Sequence, residues 1–403
     1  MMVNNMPPLW TKAFVFLLLG NLFTFMSFQM LLPNLPPYIA SIGGSSLQVG
    51  LVTTSFSIAA ILIRPFIGHI LLTKKRKMPI LIGSFLLLVC TILYPFTQIV
   101  TLLLIFRFLH GAAWGWSTTT NGTAAVDLVP RRRVGEGMGY FGLSITIGMI
   151  IAPSIGIFLY QNYNFQTLVF VSILLGMIAF LFLSMTRYAE PEALSRNQAE
   201  PPKFSFFQSL IEKKSSYPVF ITFLTSFGYG SIVTYLVLFG EEQHLTGTFL
   251  FYLANALCAT VSRPFTGRLF DAKGPWLLIM GCSLIAFLAM WILSIASANW
   301  YFIISGALFG IGYGSMIPAL QAWTISKTDV ERSGIANGMY YSSIDFGIGL
   351  SAVILGILHQ FVSTSSLFQM SSFLFLLVFL FTLTDFVIKR RKDQQPVVNV
   401  KKI

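Results

Sequence analysis

Twelve stretches of the sequence, each about 20 residues long and nearly free of charge, decide what this chain can fold into. They run over roughly 13–33, 47–72, 79–96, 99–126, 137–160 and 166–187, then over 217–240, 247–270, 275–296, 300–323, 335–358 and 367–388. A helix of about 20 apolar residues crosses the hydrocarbon of a bilayer. Of the 403 residues 55% are hydrophobic and only 10% charged, against about 25% charged in soluble domains. So much apolar surface cannot be hidden inside a soluble fold of this length, and lipid must be its solvent. The expected fold is an all-α membrane protein with 12 transmembrane helices. The first run follows Lys12 and is longer than the core of a signal peptide, so it is read as the first span.

The net charge of +12 does not form a basic face of the kind that binds nucleic acid. The cations cluster instead between apolar runs, as in Lys74-Lys75-Arg76-Lys77, Arg131-Arg132-Arg133 and Lys389-Arg390-Arg391-Lys392. The links alternate. Lys or Arg occurs in Lys74–Lys77, Asp127–Glu136, Arg187–Ser216, Asp271–Gly274, Ser326–Ser333 and the tail, and in none of the links between them. The positive-inside rule then puts both termini in the cytoplasm of a cell that carries the chain in its plasma membrane. Cys90, Cys258 and Cys282 lie within apolar runs without metal-ligand spacing and read as small buried hydrophobes. Asn121-Gly122-Thr123 is a formal glycosylation sequon, but it falls inside a span.

The two halves repeat at a constant shift. Arg64-Pro65-Phe66-Ile67-Gly68 returns as Arg263-Pro264-Phe265-Thr266-Gly267, 199 residues on. With the same shift Gly111 falls on Gly310, Gly115 on Gly314, Arg133 on Arg332, Gly135 on Gly334, Gly139 on Gly338 and Gly148 on Gly347. Such a repeat implies two pseudo-symmetric six-helix bundles related by an axis along the membrane normal, with a solute site at mid-depth between them. The expected bundles are residues 1–188 and 217–388, joined by a cytoplasmic linker over 189–216 and followed by a tail over 389–403.

Charges at membrane depth are costly and mark function by default. Arg107 and His110 lie on the fourth run, Asp345 near the middle of the eleventh, and Arg64 and Arg263 toward the cytoplasmic ends of the second and eighth. Asp345 either carries a proton through a transport cycle or holds two helices together as half of an ion pair, with Arg263 or Arg107 as partner. Arg107 stays cationic. It holds an anionic solute, tunes a nearby acid, or braces its span on backbone carbonyls. His110 either titrates or is simply hydrogen-bonded.

Three motifs carry a resemblance. One is Gly267-Arg268-Leu269-Phe270-Asp271 with Lys273, echoed in the first half by Gly68-His69-Ile70-Leu71-Leu72 and its basic run. The second is Arg107-Phe108-Leu109-His110-Gly111-Ala112-Ala113-Trp114. The third is Gly148-x3-Ala152-Pro153-x2-Gly156. With the internal repeat, these resemble the major facilitator superfamily over nearly the whole chain, and within it the branch of twelve-helix drug or metabolite:proton antiporters. Leu72 stands where that family usually has Asp, and Ala152 and Ile157 replace two glycines of its exporter motif.

The resemblance implies a cavity lined by the first and fourth helices of each half. Its candidate residues are Asn21, Gln29, Trp114, Trp116, Asn121, Tyr229, Tyr235, Tyr313 and Gln321. It implies a cytoplasmic latch or gate from Arg64, Gly68, Arg263, Gly267, Arg268 and Asp271, proton coupling through Asp345, Arg107 and His110, and a bendable fifth helix at Gly148, Pro153 and Gly156. The expected function is proton-coupled efflux of a small organic solute by a monomer, with solute, protons and lipid as the only partners. Open alternatives are a symporter or facilitator for uptake, export of a carboxylate-bearing metallophore, and a non-transporting membrane sensor. No Walker A sequence occurs, and only His69, His110 and Asp345, far apart in sequence, would be available to a catalytic site. The chain is therefore read as no enzyme, with no cofactor and no metal.

Overall fold

A computed structural model describes residues 8–73, 75–96, 98–130, 134–188, 205–206, 210–328 and 333–393, apart from a few side chains within its helices. Most of the expected linker, the Arg131–Arg133 run and the end of the tail lie outside the described residues. Twelve long helices follow one another: α1 (Lys12–Leu31), α2 (Ser46–Thr73), α3 (Lys77–Leu93), α4 (Val100–Leu128), α5 (Val134–Asn162), α6 (Phe165–Met185), α7 (Ser216–Glu242), α8 (Thr248–Lys273), α9 (Pro275–Ser294), α10 (Asn299–Ser326), α11 (Ser333–Leu358) and α12 (Thr364–Asp393). Ten of the chain's candidate spans are long and apolar enough to cross a membrane on composition alone. The other two long helices, α4 and α8, carry the intramembrane charges Arg107 and Arg263.

Local chemistry sets where the helices begin and end. Thr11 accepts the Phe14 amide at the start of α1, and Asn164 accepts that of Thr167 at the start of α6. Gly274, with φ of +75°, closes α8, and Pro275 opens α9 at a position where the missing amide costs nothing. A short helix, Leu35–Ser41, occupies part of what reads in sequence as the first extracytoplasmic link; its two prolines sit at its opening positions.

The packing is duplicated. In the first half α1 packs on α5 and α6, α2 on α4, and α3 on α4 and α6; in the second half α7 packs on α11 and α12, α8 on α10, and α9 on α10 and α12. The shared glycines explain the repeat. A side chain at Gly111 would collide with the Phe56 carbonyl, and one at Gly310 with the carbonyl of Asn255, the residue 199 positions after Phe56. Helices without a hydrophobic force between them gain van der Waals contact through such close approach. Large apolar side chains on the peripheral helices, such as Phe85, Phe170, Leu288 and Phe373, face outward where lipid would cover them.

Two seams join the halves, α2 against α11 and α5 against α8. They close at the end of the bundle opposite the links that carry Lys and Arg. There Gly50 abuts the Ala352 carbonyl, Thr54 donates to the Gly349 carbonyl at 2.5 Å, and Gln161 bonds Thr248 at 2.8 Å. Toward the basic end, Gly68, Gly267 and Gly338 each face open space, with nothing within 4 Å of an added Cβ. Among the described residues no hydrogen bond joins the halves between Arg64 and the basic end, so the halves are sealed at one end and parted at the other.

Overpacking a tight contact typically costs about 1–3 kcal/mol. Gly50→Leu is therefore expected to lower the thermal unfolding midpoint of the purified protein by several degrees. Gly281→Leu, at a site with nothing within 4 Å, should leave it nearly unchanged. Equal midpoints for the two variants would refute the tight α2–α11 seal.

Candidate functional site

The crevice between the halves holds a continuous polar cluster built from four helices. Arg64 on α2 pairs with Asp345 on α11 at 2.6 Å, and its other terminal nitrogen donates to Thr118 on α4 at 3.3 Å. Asp345 sits at the centre of the 26-residue α11. Arg64 is about 14 Å from the basic end of α2, at a rise of about 1.5 Å per residue. Its guanidinium also lies over the Tyr341 ring, 6.0 Å from the centroid. Tyr341 is bonded by Gln321 of α10, which donates to Asn337 as well, at 2.8 Å. The side chains of Arg64 and Asp345 are 11% and 15% exposed. Removing one partner from a pair this sheltered costs about 3–5 kcal/mol, because it strands the other charge. Sequence alone left Arg263 or Arg107 as partners for Asp345. Arg64 takes that place because α2, not α4 or α8, packs face to face with α11.

A second cluster lies nearer the sealed end. Arg107 is buried, donates to the Val52 carbonyl at 3.1 Å, and is boxed by the rings of Phe28 and Phe56 at 5.3 and 4.1 Å. His110, one turn on, shares a 2.8 Å hydrogen bond with Tyr94. One guanidinium nitrogen of Arg107 and Nε2 of His110 have no partner. Trp114 stacks on Phe28 at 4.0 Å and completes the aromatic wall. Arg107 and Asp345 therefore belong to separate clusters.

The remaining expected site residues divide by the direction they face. Asn21 bonds Ser144 and accepts from Asn121, tying α1 to α5 and α4, and Asn121 keeps an unpartnered oxygen. Gln29 is buried on α1. Tyr229 and Tyr313 stack at 4.5 Å, with Phe309 beside them. Trp116 instead donates to the Pro79 carbonyl of α3, and Tyr235 to the Ala352 carbonyl within the seal. On α5, Gly148 fits against Phe25 and Gly156 against Met30, so the small residues around Pro153 let this helix lie close on α1.

At the basic end, Gly68 and Gly267 face open space, Arg268 is exposed, and the side chain of Asp271 lies outside those described. Arg263 is half-buried with an unpartnered Nε. The first half has a fastening that its sequence did not advertise. Arg76 pairs with Asp127 at 2.5 Å and also donates to the Leu71 carbonyl, tying the α2–α3 link to the end of α4. The signal was an acid in a link next to a basic run, but its partner lies 51 residues away. Among the described residues no group of three or more His, Cys, Asp or Glu could hold a metal ion.

The model of the Major Facilitator Superfamily matches residues 17–298 and 276–401. An MFS-type transporter of Methanocaldococcus jannaschii is 26% identical over 357 residues, covering 87% of this chain and 92% of that protein. The multidrug resistance protein MdtG of Klebsiella pneumoniae is 25% identical, with 81% of each chain covered, and the quinolone resistance protein NorA of Staphylococcus aureus is 23% identical, covering 85% and 89%. Among solved structures, the nucleoside transporter NupG superposes with a TM-score of 0.72 at 12% identity, covering 93% of this chain and 99% of that one. The human organic anion transporter MFSD10 superposes at 0.67 and 16% identity, covering 94% and 100%. These structural likenesses speak for the fold alone. The duplicated bundles, the crevice between them and the family match over most of the sequence place this chain in the Major Facilitator Superfamily: it is a multi-pass membrane transporter of small molecules and not an enzyme.

Proposed function

We propose that this transporter exports a small organic solute from the cytoplasm in exchange for protons, as a monomer in the plasma membrane with both termini inside the cell. The Arg64–Asp345 pair, which crosses from one half to the other at mid-depth, carries this reading. Among the described residues it is the one ion pair that joins the two halves, and a protonated carboxyl cannot form the same pair. The basic links at one end of the bundle support a cytoplasmic placement of that end. Relatives that confer multidrug or quinolone resistance favour export of organic solutes.

In the conformation open at the basic end, Arg64 holds Asp345 as a carboxylate. Solute enters from the cytoplasm and contacts the aromatic and amide side chains of both halves, including Trp114, Tyr229, Tyr313 and Gln321. Opening of the opposite end parts α2 from α11 and separates Arg64 from Asp345. The carboxylate, now without its counter-ion and facing the outside, takes up a proton. On return the ion pair forms again and the proton leaves to the cytoplasm. One solute moves out as a proton moves in, by rocking of one bundle on the other. Arg107, caged near the sealed end, sets the electrostatic field of the α2–α4 wall and braces Val52.

Inside-out vesicles loaded with an acidic interior test the exchange. A panel of cationic, neutral and anionic fluorescent dyes should include at least one that accumulates with the gradient and leaks back when a protonophore is added. Asp345→Asn is expected to reduce gradient-driven uptake of that dye by about tenfold or more, while gradient-free counterflow persists. Full coupling in Asp345→Asn would remove this residue as the carrier, and accumulation driven only by an alkaline interior would favour uptake by symport. Arg107→Ala is expected to cut transport by about tenfold with an unchanged elution profile in detergent. Undiminished transport would leave Arg107 a brace and nothing more.

A further inference from the structure

Arg64 and Arg263 are the same residue of the repeat, 199 positions apart, yet their surroundings differ. Arg64 is neutralised by Asp345 and bonded by Thr118. The residues equivalent to those two partners are Thr146 on α5 and Ile317 on α10, neither of them charged. Among the described residues Arg263 has no carboxylate partner, and its Nε is buried without a hydrogen bond. The neighbouring phenol of Tyr340 already donates its proton to the Ile317 carbonyl at 2.9 Å. Gly267, one turn along α8, faces open space, as does Gly338 on α11 two residues before Tyr340. Among the described residues nothing compensates the positive charge of Arg263, which lies at the edge of the parted end of the crevice. Arg107 also lacks an acid, but it is caged by Phe28 and Phe56 and is only 1% exposed, so no solute reaches it.

A buried guanidinium without a counter-ion is costly, and its fork of donors matches a carboxylate. We propose that Arg263 binds the carboxylate of an amphipathic organic anion, and that such anions are the preferred cargo of the crevice. The inference rests on the transport reading above and narrows it to a substrate class. The carboxylate supplies to the arginine of the second half the negative charge that Asp345 supplies to Arg64. In the same half Tyr229 and Tyr313 stack on the fully buried Phe309 and keep only a narrow aromatic edge accessible, which offers the rest of the molecule an apolar contact.

Equilibrium binding separates this proposal from the direction and energetics of transport, because it needs neither a gradient nor a closed compartment. The probes are dansylglycine and its uncharged amide, which share one fluorophore, titrated against the purified protein in phosphatidylcholine nanodiscs. The carboxylate is expected to bind at least about tenfold more tightly than the amide. Arg263→Gln should bring the two affinities together, Arg263→Lys should keep part of the difference, and Arg268→Gln should keep all of it. Thr146→Asp, which places an acid where the repeat lacks one, should also abolish the preference without removing Arg263. Absence of saturable carboxylate binding, equal affinities in the wild type, or a preference that survives both Arg263→Gln and Thr146→Asp would overturn the assignment. So would a preference that vanishes once phosphatidylglycerol is added to the disc, since the occupant would then be a lipid headgroup. Failure of proton-driven transport with the carboxylate preference intact would count against the exchange mechanism and not against the site.

Discussion

The ion pair between Arg64 and Asp345 is the contact on which the relation of the two halves turns. Each half is held internally by close helix packing, and the halves meet mainly along two seams. At the sealed end those seams consist of glycine approach, backbone carbonyls and a few neutral hydrogen bonds. At mid-depth the α2–α11 seam acquires two full charges whose removal from water is repaid only while they face each other. A contact of this kind is all-or-none. It is favourable when intact and strongly unfavourable when half-broken, so it suits a protein that must exist in two arrangements and avoid those between.

The rest of the architecture follows from lipid as solvent. With lipid tails outside and apolar side chains inside, burial gives no preference for one helix face over another, and close approach decides the packing. The repeat glycines do that work twice. Gly111 and Gly310 let α4 and α10 lie directly on α2 and α8, at Phe56 and at Asn255. The two halves differ where function differs. The first half has the caged Arg107 and the Arg76–Asp127 fastening, whereas the second supplies Asp345 and, among the described residues, leaves Arg263 without a carboxylate partner.

Much of the fold was legible because it is written in runs and repeats. Runs of about 20 apolar residues gave each long helix to within a few residues of its observed ends, and the shift that maps Arg64 onto Arg263 foretold the duplicated packing. The helix Leu35–Ser41 was hidden because Pro36 and Pro37 read as loop residues; at the opening turn they lack only amides that a helix leaves unbonded anyway. The site was legible in its residue types and not in its pairings. Asp345 and Arg107 stand out as charges at depth, but which arginine meets the acid depends on the rotation of α11 against α2, a contact 281 residues apart in sequence. Trp116 and Tyr235 suited a cavity by composition and instead bond carbonyls of α3 and α11, since helical phase along α4 and α7 turns them there.

The most direct measurement is of pulsed dipolar distances in a background lacking Cys90, Cys258 and Cys282. One pair of spin labels replaces Met78 and Leu277, exposed at the basic end; the other replaces Phe96 and Ile295, exposed at the opposite end. If the Arg64–Asp345 pair holds the protein open at its basic end, Asp345→Asn shortens the first distance and lengthens the second by several ångströms, and acidification does the same to the parent. Distances that stay fixed in Asp345→Asn, or that change in the same direction at both ends, would contradict it.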